Sequence, residues 1–509
     1  MASPSLPRSA AGSHSPWLIA MVVSLATFME VLDTTIANVS LRHIAGGLGA
    51  SQDEATWILT SYLISNAIIL PVSGWLATLI GRKKFYMACV ALFTGSSFLC
   101  ALSPNLAAMI VFRVLQGLGG GGLAPTEQSI FADTFAPAQR AKAFAFYGVT
   151  VIVAPAIGPL LGGWLTDSFS WHWIFLINLP VGIVALALIA ALVDEPQAVK
   201  DDTAQFRRDF VPDWLGFTLV ASTFGCLQVV LDRFEQDDGF SSSLIVAFAI
   251  VFACSALLLV WWELGHPQPV FDVRLFKVGS FGAANLVMLL VGFTLFSTTQ
   301  LIPQFAQNLL RYDALKAGES LALGGIAAAC MMPFAGIVAS KASPKILVGL
   351  GLLVTGAALV HASFLNGRIG FWDLSLARVY QSIALPFLFV SLTTAAYVGI
   401  PPDRNNEASA IINLSRNLGG SIGVAAATTE LAWRTQFHHA RLGEQASRIG
   451  ERGALLAHDG LAAAQQLAQA QAQVLSYLDI FYVFGILSLC VVPVAFLLKN
   501  PPAGAAHGH

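Results

Sequence analysis

Long uncharged apolar runs recur along the whole chain and restrict its fold more than any other feature of the sequence. Residues 55–81, 143–166, 346–367 and 480–498 are four examples. A helix of about 20 apolar residues is long enough to cross the hydrocarbon core of a bilayer. Charged residues make up only 11% of the chain and hydrophobic residues 56%, which argues against a soluble multidomain protein. The sequence therefore predicts an all-α polytopic membrane protein.

Turns and charged residues divide the chain into fourteen predicted spans. We place them near residues 17–40, 56–80, 85–103, 106–129, 143–166, 173–193, 212–231, 241–262, 281–307, 318–339, 345–365, 374–398, 408–429 and 479–498. With the N-terminus inside, the inner loops and tails hold fifteen Lys and Arg residues and the outer loops hold nine. Because cytoplasmic loops are enriched in positive residues, we expect both termini in the cytoplasm.

Two short patterns repeat at nearly the same offset. Arg113 and Gln116 recur 265 residues later as Arg378 and Gln381, and the pattern around Gly74 recurs 262 residues later. Such echoes indicate two related six-helix halves with two further helices inserted between them. The predicted division is a cytoplasmic N-terminal tail (1–16), an N-terminal half (17–193), a linker with two inserted helices (194–262), a C-terminal half (263–498) and a cytoplasmic C-terminal tail (499–509).

One long extramembrane segment, residues 430–477, is predicted on the outer side. It lacks proline and places Ala463, Leu467, Ala470 and Val474 at helical spacing. We expect one or two helices standing in the periplasm. The segment is either a contact surface for another protein or a solvated helical spacer.

Three charged residues stand out because charge inside a membrane span is costly. Glu30 and Asp33 lie one helical turn apart on one face of the first span. Arg113 in the fourth span lies at a similar depth, so it can pair with Asp33. Such a pair is either a proton switch or a purely structural contact that orients helices.

Glu127 follows Arg113 by fourteen residues, which places it on the same helical face about 21 Å away, near the cytoplasmic mouth. It either admits cationic substrates or protons, or acts as a hydrogen-bonded gate residue. Gly117 and the glycines at 119–122 remove side-chain bulk between them. No GK[ST] follows this run, so nucleotide binding and an ATP-driven pump are not expected.

Span five combines prolines and glycines in a way that favours bending. These residues are Pro155, Gly158, Pro159, Gly162 and Gly163. The functional interpretation is a hinge between the halves, and close helix packing is a compatible alternative. The histidines are scattered, so no enzyme, metal site or nucleic-acid interface is expected.

Several motifs together resemble one known family. They are LDTTIANV at 32–39, GWLATLIGRKK at 74–84, Arg113 with Gln116 and Gly117, APAIGPLLGG at 154–163, LDR at 231–233 and RNLGGS at 416–421. The set resembles the fourteen-span drug:proton antiporters of the EmrB/QacA type in the major facilitator superfamily. The chain departs from the family loop pattern at Thr78 and Leu79, where relatives carry an acidic residue and an arginine.

The resemblance implies multidrug efflux of amphipathic compounds by alternating access, driven by the proton gradient without a cofactor. It also implies a periplasmic adaptor of the EmrA type and a TolC-like outer-membrane channel, with residues 430–477 as the expected contact. Asp33 is the expected proton site and Arg113 its partner. Expected gating residues are Gly74, Gly81, Arg82, Gln116 and Gly117, and the candidate polar residues of the second half are Arg378, Gln381, Asn413 and Arg416.

Alternatives remain at this point. One is a dedicated exporter of a single metabolite, fatty acid or siderophore. Others are a membrane sensor that does not transport, a channel, and a scaffold for the adaptor.

Overall fold

The computed structural model describes residues 15–195, 197–208, 211–366, 369–450 and 458–499, and all regular secondary structure in these ranges is helical. The first ten helices are α1 (Pro16–Val39), α2 (Leu41–Leu48), α3 (Gln52–Ala55), α4 (Trp57–Ile80), α5 (Arg82–Ala101), α6 (Leu106–Gly120), α7 (Leu123–Thr134), α8 (Pro137–Ser168), α9 (Trp173–Leu176) and α10 (Asn178–Leu192). They are followed by α11 (Gln197–Arg208), α12 (Trp214–Arg233), α13 (Ser243–Gly265), α14 (Phe281–Asn308), α15 (Ala314–Ala339), α16 (Pro344–Ala362), α17 (Phe371–Ala396), α18 (Asn405–Gly450) and α19 (His458–Cys490). Short 3-10 helices are Gly239–Ser241, Val273–Lys277, Pro402–Arg404 and Val492–Leu497.

Each predicted span coincides with a helix or with two consecutive helices. In the described residues, twelve helices are long and apolar enough to cross a membrane, or thirteen if the bent helix α8 is one span. The count of fourteen therefore stays a prediction. The predicted tails, 1–16 and 499–509, lie almost entirely outside the described residues.

Exposed and buried side chains are distributed as in a membrane protein. Leu257 and Trp261 on α13 are 76% and 71% exposed, and an apolar surface of this kind is stable against lipid. Polar side chains such as Asp33, Gln116 and Arg378 are buried between helices. The protein is a multi-pass membrane protein with several polar side chains buried between its helices.

The two halves of the molecule meet along two seams. At one seam α8 packs on α15, and at the other α4 packs on α18. Helix α12 packs against both α4 and α18, and Ser421 of α18 donates a hydrogen bond to Gln228 of α12 at 3.0 Å. One of the two helices that follow the first half therefore covers the α4–α18 seam.

The segment 430–477 does not form separate helices between the spans. Its described residues extend α18, which is 46 residues long, and α19, which is 33 residues long. Arg434 of α18 donates to Asp479 of α19 at 2.7 Å, and α18 continues sixteen residues further, about 24 Å. Of the predicted stripe, Val474 is buried and Leu467 is 67% exposed. The end of α18 that follows Arg434 (435–450) and the start of α19 that precedes Asp479 (458–478) are together called the hairpin below.

Candidate transport site

A cavity of about 1310 Å³ lies between the two halves. Its walls come from α1, α4 and α8 on one side, and from α14, α15, α17 and α18 on the other, with α12 at one edge. One end of the cavity is lined by three residues close to helix ends, His43, Asp167 and Glu235. This end is called the mouth below. The volume is larger than that of many drug-sized pockets, so the cavity can hold an amphipathic molecule.

Asp33 lies directly behind the cavity wall and is 2% exposed. Arg113 Nη1 donates to Asp33 Oδ2 at 2.7 Å. Gln116 Nε2 and Asn178 Nδ2 both donate to Asp33 Oδ1, at 3.1 and 2.7 Å. Three side chains thus hold one carboxylate, one of them a cation and two of them amides, the arrangement that keeps a buried charge stable.

Tyr62 connects this pair to the cavity. Its ring lies under the Arg113 guanidinium, 4.4 Å from the ring centroid, a cation–π contact. Its hydroxyl donates to Glu30 Oε1 at 2.9 Å, and both Glu30 and Tyr62 line the cavity. A change at Arg113 can therefore reach the cavity surface through one side chain.

Glu127 lies on α7, within the same membrane span as Arg113. The glycines at 121 and 122 separate α6 from α7, so Arg113 and Glu127 are on different helices. Glu127 is fully buried and accepts a hydrogen bond from Ser24 of α1. It does not line the cavity, which favours the hydrogen-bonded alternative over direct contact with a substrate.

Helix α8 is bent by 41° between Gln139–Pro155 and Ile157–Ser168. The bend coincides with Pro155, as expected because proline removes a backbone donor and clashes with the preceding turn. Downstream, a Cβ on Gly162 would lie 3.2 Å from Ile36, so this glycine permits close packing of α8 on α1. The remaining residues of the motif, Gly158, Pro159 and Gly163, also lie on this downstream arm.

The end opposite the mouth is closed by contacts between the halves. A Cβ on Gly74 would lie 2.8 Å from the Asn406 carbonyl oxygen, so α4 and α18 touch backbone to backbone. Ser129 donates to Asn406 at 2.6 Å, and Asn406 donates to Thr78 at 3.1 Å. Thr78, which replaces the acidic residue of the family pattern, therefore joins the closed end through its hydroxyl.

An ion pair supports the same closed end. Arg82 pairs with Asp133, and Asn405 of α18 donates to Asp133 at 2.9 Å. Gly81 precedes Arg82 with φ of 96°, a conformation that favours glycine. Arg404 ends the adjacent 3-10 helix, and the carboxylate of Glu407 in the first turn of α18 raises the pKa of Arg404.

The second half contains a cluster equivalent to that around Asp33. Arg378 Nη1 donates to Gln381 at 2.9 Å and to Thr298 Oγ1 at 2.8 Å. Gln381 Nε2 also donates to Thr298, at 3.0 Å. Thr298 follows Asp33 by 265 residues, the same offset that separates the two arginines. The second cluster thus has a hydroxyl where the first has a carboxylate.

Asn413 and Arg416 lie on α18 and contact the first half. Tyr147 of α8 donates to Asn413 Oδ1 at 3.2 Å, and Arg416 Nη1 donates to the Tyr147 hydroxyl at 3.1 Å. Arg416 also lines the cavity. These two predicted residues form a polar link between the halves rather than a second arginine pair.

Four contributing residues were not identified from the sequence: Tyr62, Asp133, Asn178 and Thr298. The offset of 265 residues, applied to Asp33, identifies Thr298 directly. The other three come from helices distant in the chain, and no sequence spacing links them to Asp33 or Arg82.

Comparisons with known proteins agree with this architecture. Residues 23–424 match the family model described as Major Facilitator Superfamily. "Multidrug export protein EmrB" of Escherichia coli (strain K12) is 34% identical over 96% of each chain. "Probable multidrug resistance protein EmrY" of the same strain is 36% identical over 84% of this chain and 82% of that protein. "Fatty acid resistance protein FarB" of Neisseria gonorrhoeae is 33% identical over 98% of this chain and 99% of that protein.

Among solved structures, the human organic anion transporter MFSD10 aligns with a TM-score of 0.61 over 95% of this chain and all of that one, at 14% identity. The proton:xylose symporter XylE aligns with a TM-score of 0.59 over 93% of this chain and 94% of that one, at 15% identity. At these identities the likeness is one of fold. The chain belongs to the major facilitator superfamily, and its similar relatives include the multidrug exporters EmrB and EmrY.

Proposed function

We propose that this protein is a proton-coupled exporter of amphipathic toxic compounds that works by alternating access. The observation that carries the proposal is the buried pair of Asp33 and Arg113, directly behind the wall of a cavity that is open at one end and closed at the other. An ionisable pair inside a membrane span is expected where protons are moved.

In this mechanism a proton enters from the mouth and binds the Asp33 carboxylate. Protonation removes the charge that Arg113, Gln116 and Asn178 hold, so the attraction between α1 and α6 weakens. Arg113 then acts on Glu30 through Tyr62, because Tyr62 contacts both groups. Substrate release at the mouth and proton uptake are thereby linked through adjoining side chains.

The halves would rock about the bend in α8 while the contacts at Gly74 and Asn406 open. The proposed activity is transport, in which the substrate crosses the membrane chemically unchanged. The proton gradient is the proposed driving force, and no cofactor takes part.

We place the protein in the bacterial inner membrane because its similar relatives include exporters of Escherichia coli. The excess of Lys and Arg in the inner loops favours both termini in the cytoplasm. In that orientation the mouth faces the periplasm, and the closed end of Gly74 and Arg82 faces the cytoplasm.

The hairpin lies at the same end of the molecule as the mouth. We propose that it contacts a periplasmic adaptor of the EmrA type, which would lead exported compounds to a TolC-like outer-membrane channel. Its long helices, with Leu467 exposed, supply an elongated surface for such a helical partner.

A second candidate is a dedicated exporter of one metabolite, a fatty acid or a siderophore. The similarity to the fatty acid resistance protein FarB favours the fatty acid among these. Uptake by inverted membrane vesicles separates the two candidates: a multidrug exporter accumulates several unrelated dyes when a proton gradient is imposed, and a dedicated exporter accumulates one chemical class. If vesicles that contain the wild-type protein take up none of the compounds when a gradient is imposed, both candidates are contradicted.

A further inference from the structure

The second-half arginine, Arg378, is buried and has only neutral hydrogen-bond partners among the described residues. It is 5% exposed and lines the cavity. Its three hydrogen bonds, to Thr298, Thr299 and Gln381, all go to neutral oxygens at 2.8 to 3.0 Å. Among the described residues no carboxylate pairs with it, in contrast to Arg113, which pairs with Asp33.

These three contacts leave one buried donor of the guanidinium without an acceptor among the described residues. Arginine has five N–H donors, and Nε of Arg378 has no acceptor among the described residues. The corresponding Nε of Arg113 donates to the Ile58 carbonyl at 3.1 Å. Nε and the adjacent Nη2 form the fork that binds a carboxylate with two parallel hydrogen bonds.

Thr298 cannot take over the role of the missing carboxylate. Its hydroxyl already accepts from Arg378 and Gln381 and donates to the Thr294 carbonyl at 2.7 Å. A buried cation without a counter-ion is costly in a low-dielectric interior. A negatively charged group that enters the cavity would remove this cost.

We propose that Arg378, with Thr299 and Gln381, is an anion subsite that binds the carboxylate of an amphipathic substrate in the second half of the cavity. The apolar part of the substrate would lie against Leu321 and Leu385, which line the same wall. The inference rests on the proposed export function and specifies the substrate class: amphipathic acids. The first half uses its arginine to hold an internal carboxylate, and the second uses its arginine to hold one carried by the substrate.

The test uses isothermal titration calorimetry to measure binding to the purified full-length chain in lipid nanodiscs at pH 7.5. The probes are octanoate, octanamide and octyltrimethylammonium, which share a chain length and differ in the charge of the head group. Empty nanodiscs give the correction for partitioning into lipid. Wild-type protein is expected to bind octanoate about tenfold or more tightly than octanamide, because a charge-assisted fork is lost with the amide.

Two variants remove the subsite in different ways. Arg378→Gln removes the cation, and Thr298→Asp supplies it with the internal partner that Asp33 supplies to Arg113. Both are expected to weaken octanoate binding about tenfold or more and to leave octyltrimethylammonium binding unweakened. Lys341→Gln, which removes an exposed positive charge from the same half, is the matched control and is expected to bind octanoate like wild type.

Circular dichroism and a monodisperse elution profile establish that each variant is folded. Because Thr298→Asp keeps the arginine, it still tests the subsite if Arg378→Gln does not fold. Equal wild-type affinity for octanoate and octanamide would overturn the subsite. So would unchanged octanoate affinity in the variants, or a loss confined to Thr298→Asp while folded Arg378→Gln binds normally. If Arg378-dependent octanoate binding is found without gradient-driven transport, the subsite stands and the proposed function fails. If gradient-driven transport of cationic dyes occurs without octanoate binding, the proposed function stands and the subsite fails.

Discussion

Arg113 Nη1 lies 2.7 Å from Asp33 Oδ2, and each side chain is only 1% exposed. A carboxylate held this closely cannot take up a proton without weakening the contact between α1 and α6. The first prediction follows from this pair. Asp33→Asn should abolish uptake driven by a proton gradient in inverted vesicles, because the amide cannot bind or release a proton. Downhill exchange of substrate without a gradient should persist.

Asp33→Thr is the matched variant, since the second half shows that an arginine, a glutamine and a threonine pack together in this geometry. It should also insert into the membrane and lose gradient-driven uptake. Normal uptake by either variant would remove Asp33 from the proton pathway.

The same pair predicts a non-additive effect on stability. Removal of one partner leaves a buried charge and costs about 3–5 kcal/mol, so Asp33→Asn and Arg113→Gln should each lower the thermal midpoint of the detergent-solubilised protein. The double variant should be more stable than the sum of the two changes implies, because no charge is left unpaired. Additive losses would indicate that the two side chains are not coupled. A double variant that regains stability but not transport would separate the structural role of the pair from its proposed role in coupling.

Glu30 is predicted to affect cationic compounds more than neutral ones. Its carboxylate lines the cavity and accepts from Tyr62, so Glu30→Gln removes a negative charge from the binding surface while it keeps the size of the side chain. Binding of octyltrimethylammonium should weaken about threefold to tenfold, in line with the loss of a partly screened charge contact of about 1 kcal/mol. Octanamide binding is the control and should not change. Equal loss for both compounds would point to a change in cavity shape.

The contact between Gly74 and Asn406 predicts that the closed end opens when a methyl group is added. Gly74→Ala places a Cβ 2.8 Å from the Asn406 carbonyl, and overpacking of this kind costs about 1–3 kcal/mol. A thiol introduced as Ala408→Cys in a cysteine-free background should react faster with a membrane-impermeant maleimide in inverted vesicles. Gly95→Ala is the matched control, because a Cβ at that position meets nothing within 4 Å. No difference between the two alanine variants would argue against a gate at Gly74.

The hairpin predicts a difference between vesicles and cells. Replacement of residues 446–465 by a short Gly/Ser linker leaves the contacts of Arg434 and His438 with Asp479 in place. Gradient-driven uptake in vesicles should therefore be retained, whereas resistance of intact cells should be lost because the adaptor contact is missing. Full resistance of cells that express this variant would remove the hairpin from the proposed export path.

The positions of the spans could be predicted from the sequence because the hydrophobic pattern alone determines where a helix can enter lipid. The proximity of Asp33 and Arg113 could be anticipated for a similar reason, since two residues at equal depth on neighbouring helices can meet. These inferences need only the rise of a helix and the thickness of a bilayer.

Other features depend on information that hydropathy does not carry. The division of the fourth span into α6 and α7 was not predicted, because a glycine run can either continue a helix or interrupt it, and only packing against neighbours decides. The long segment 430–477 was predicted as helical, but its continuity with the helices of the adjacent spans was not, because a polar, alanine-rich sequence gives no signal that it continues the helix of a span. Asp133 could not be linked to Arg82, since their contact depends on how α5 and α7 pack.

The equivalence of Asp33 and Thr298 has a thermodynamic consequence. In the proposed mechanism, the arginine–glutamine pair occurs in both halves but an acid accompanies it only in the first, so the two clusters together would take up at most one proton per turnover. One elementary charge crossing the membrane releases about 2.3 kcal/mol per 100 mV. That energy sustains a concentration ratio of about 50-fold for a neutral substrate. A substrate anion expelled from the cell carries negative charge outward and gains from the same potential, so the copy without the acid would add to the work available for each cycle.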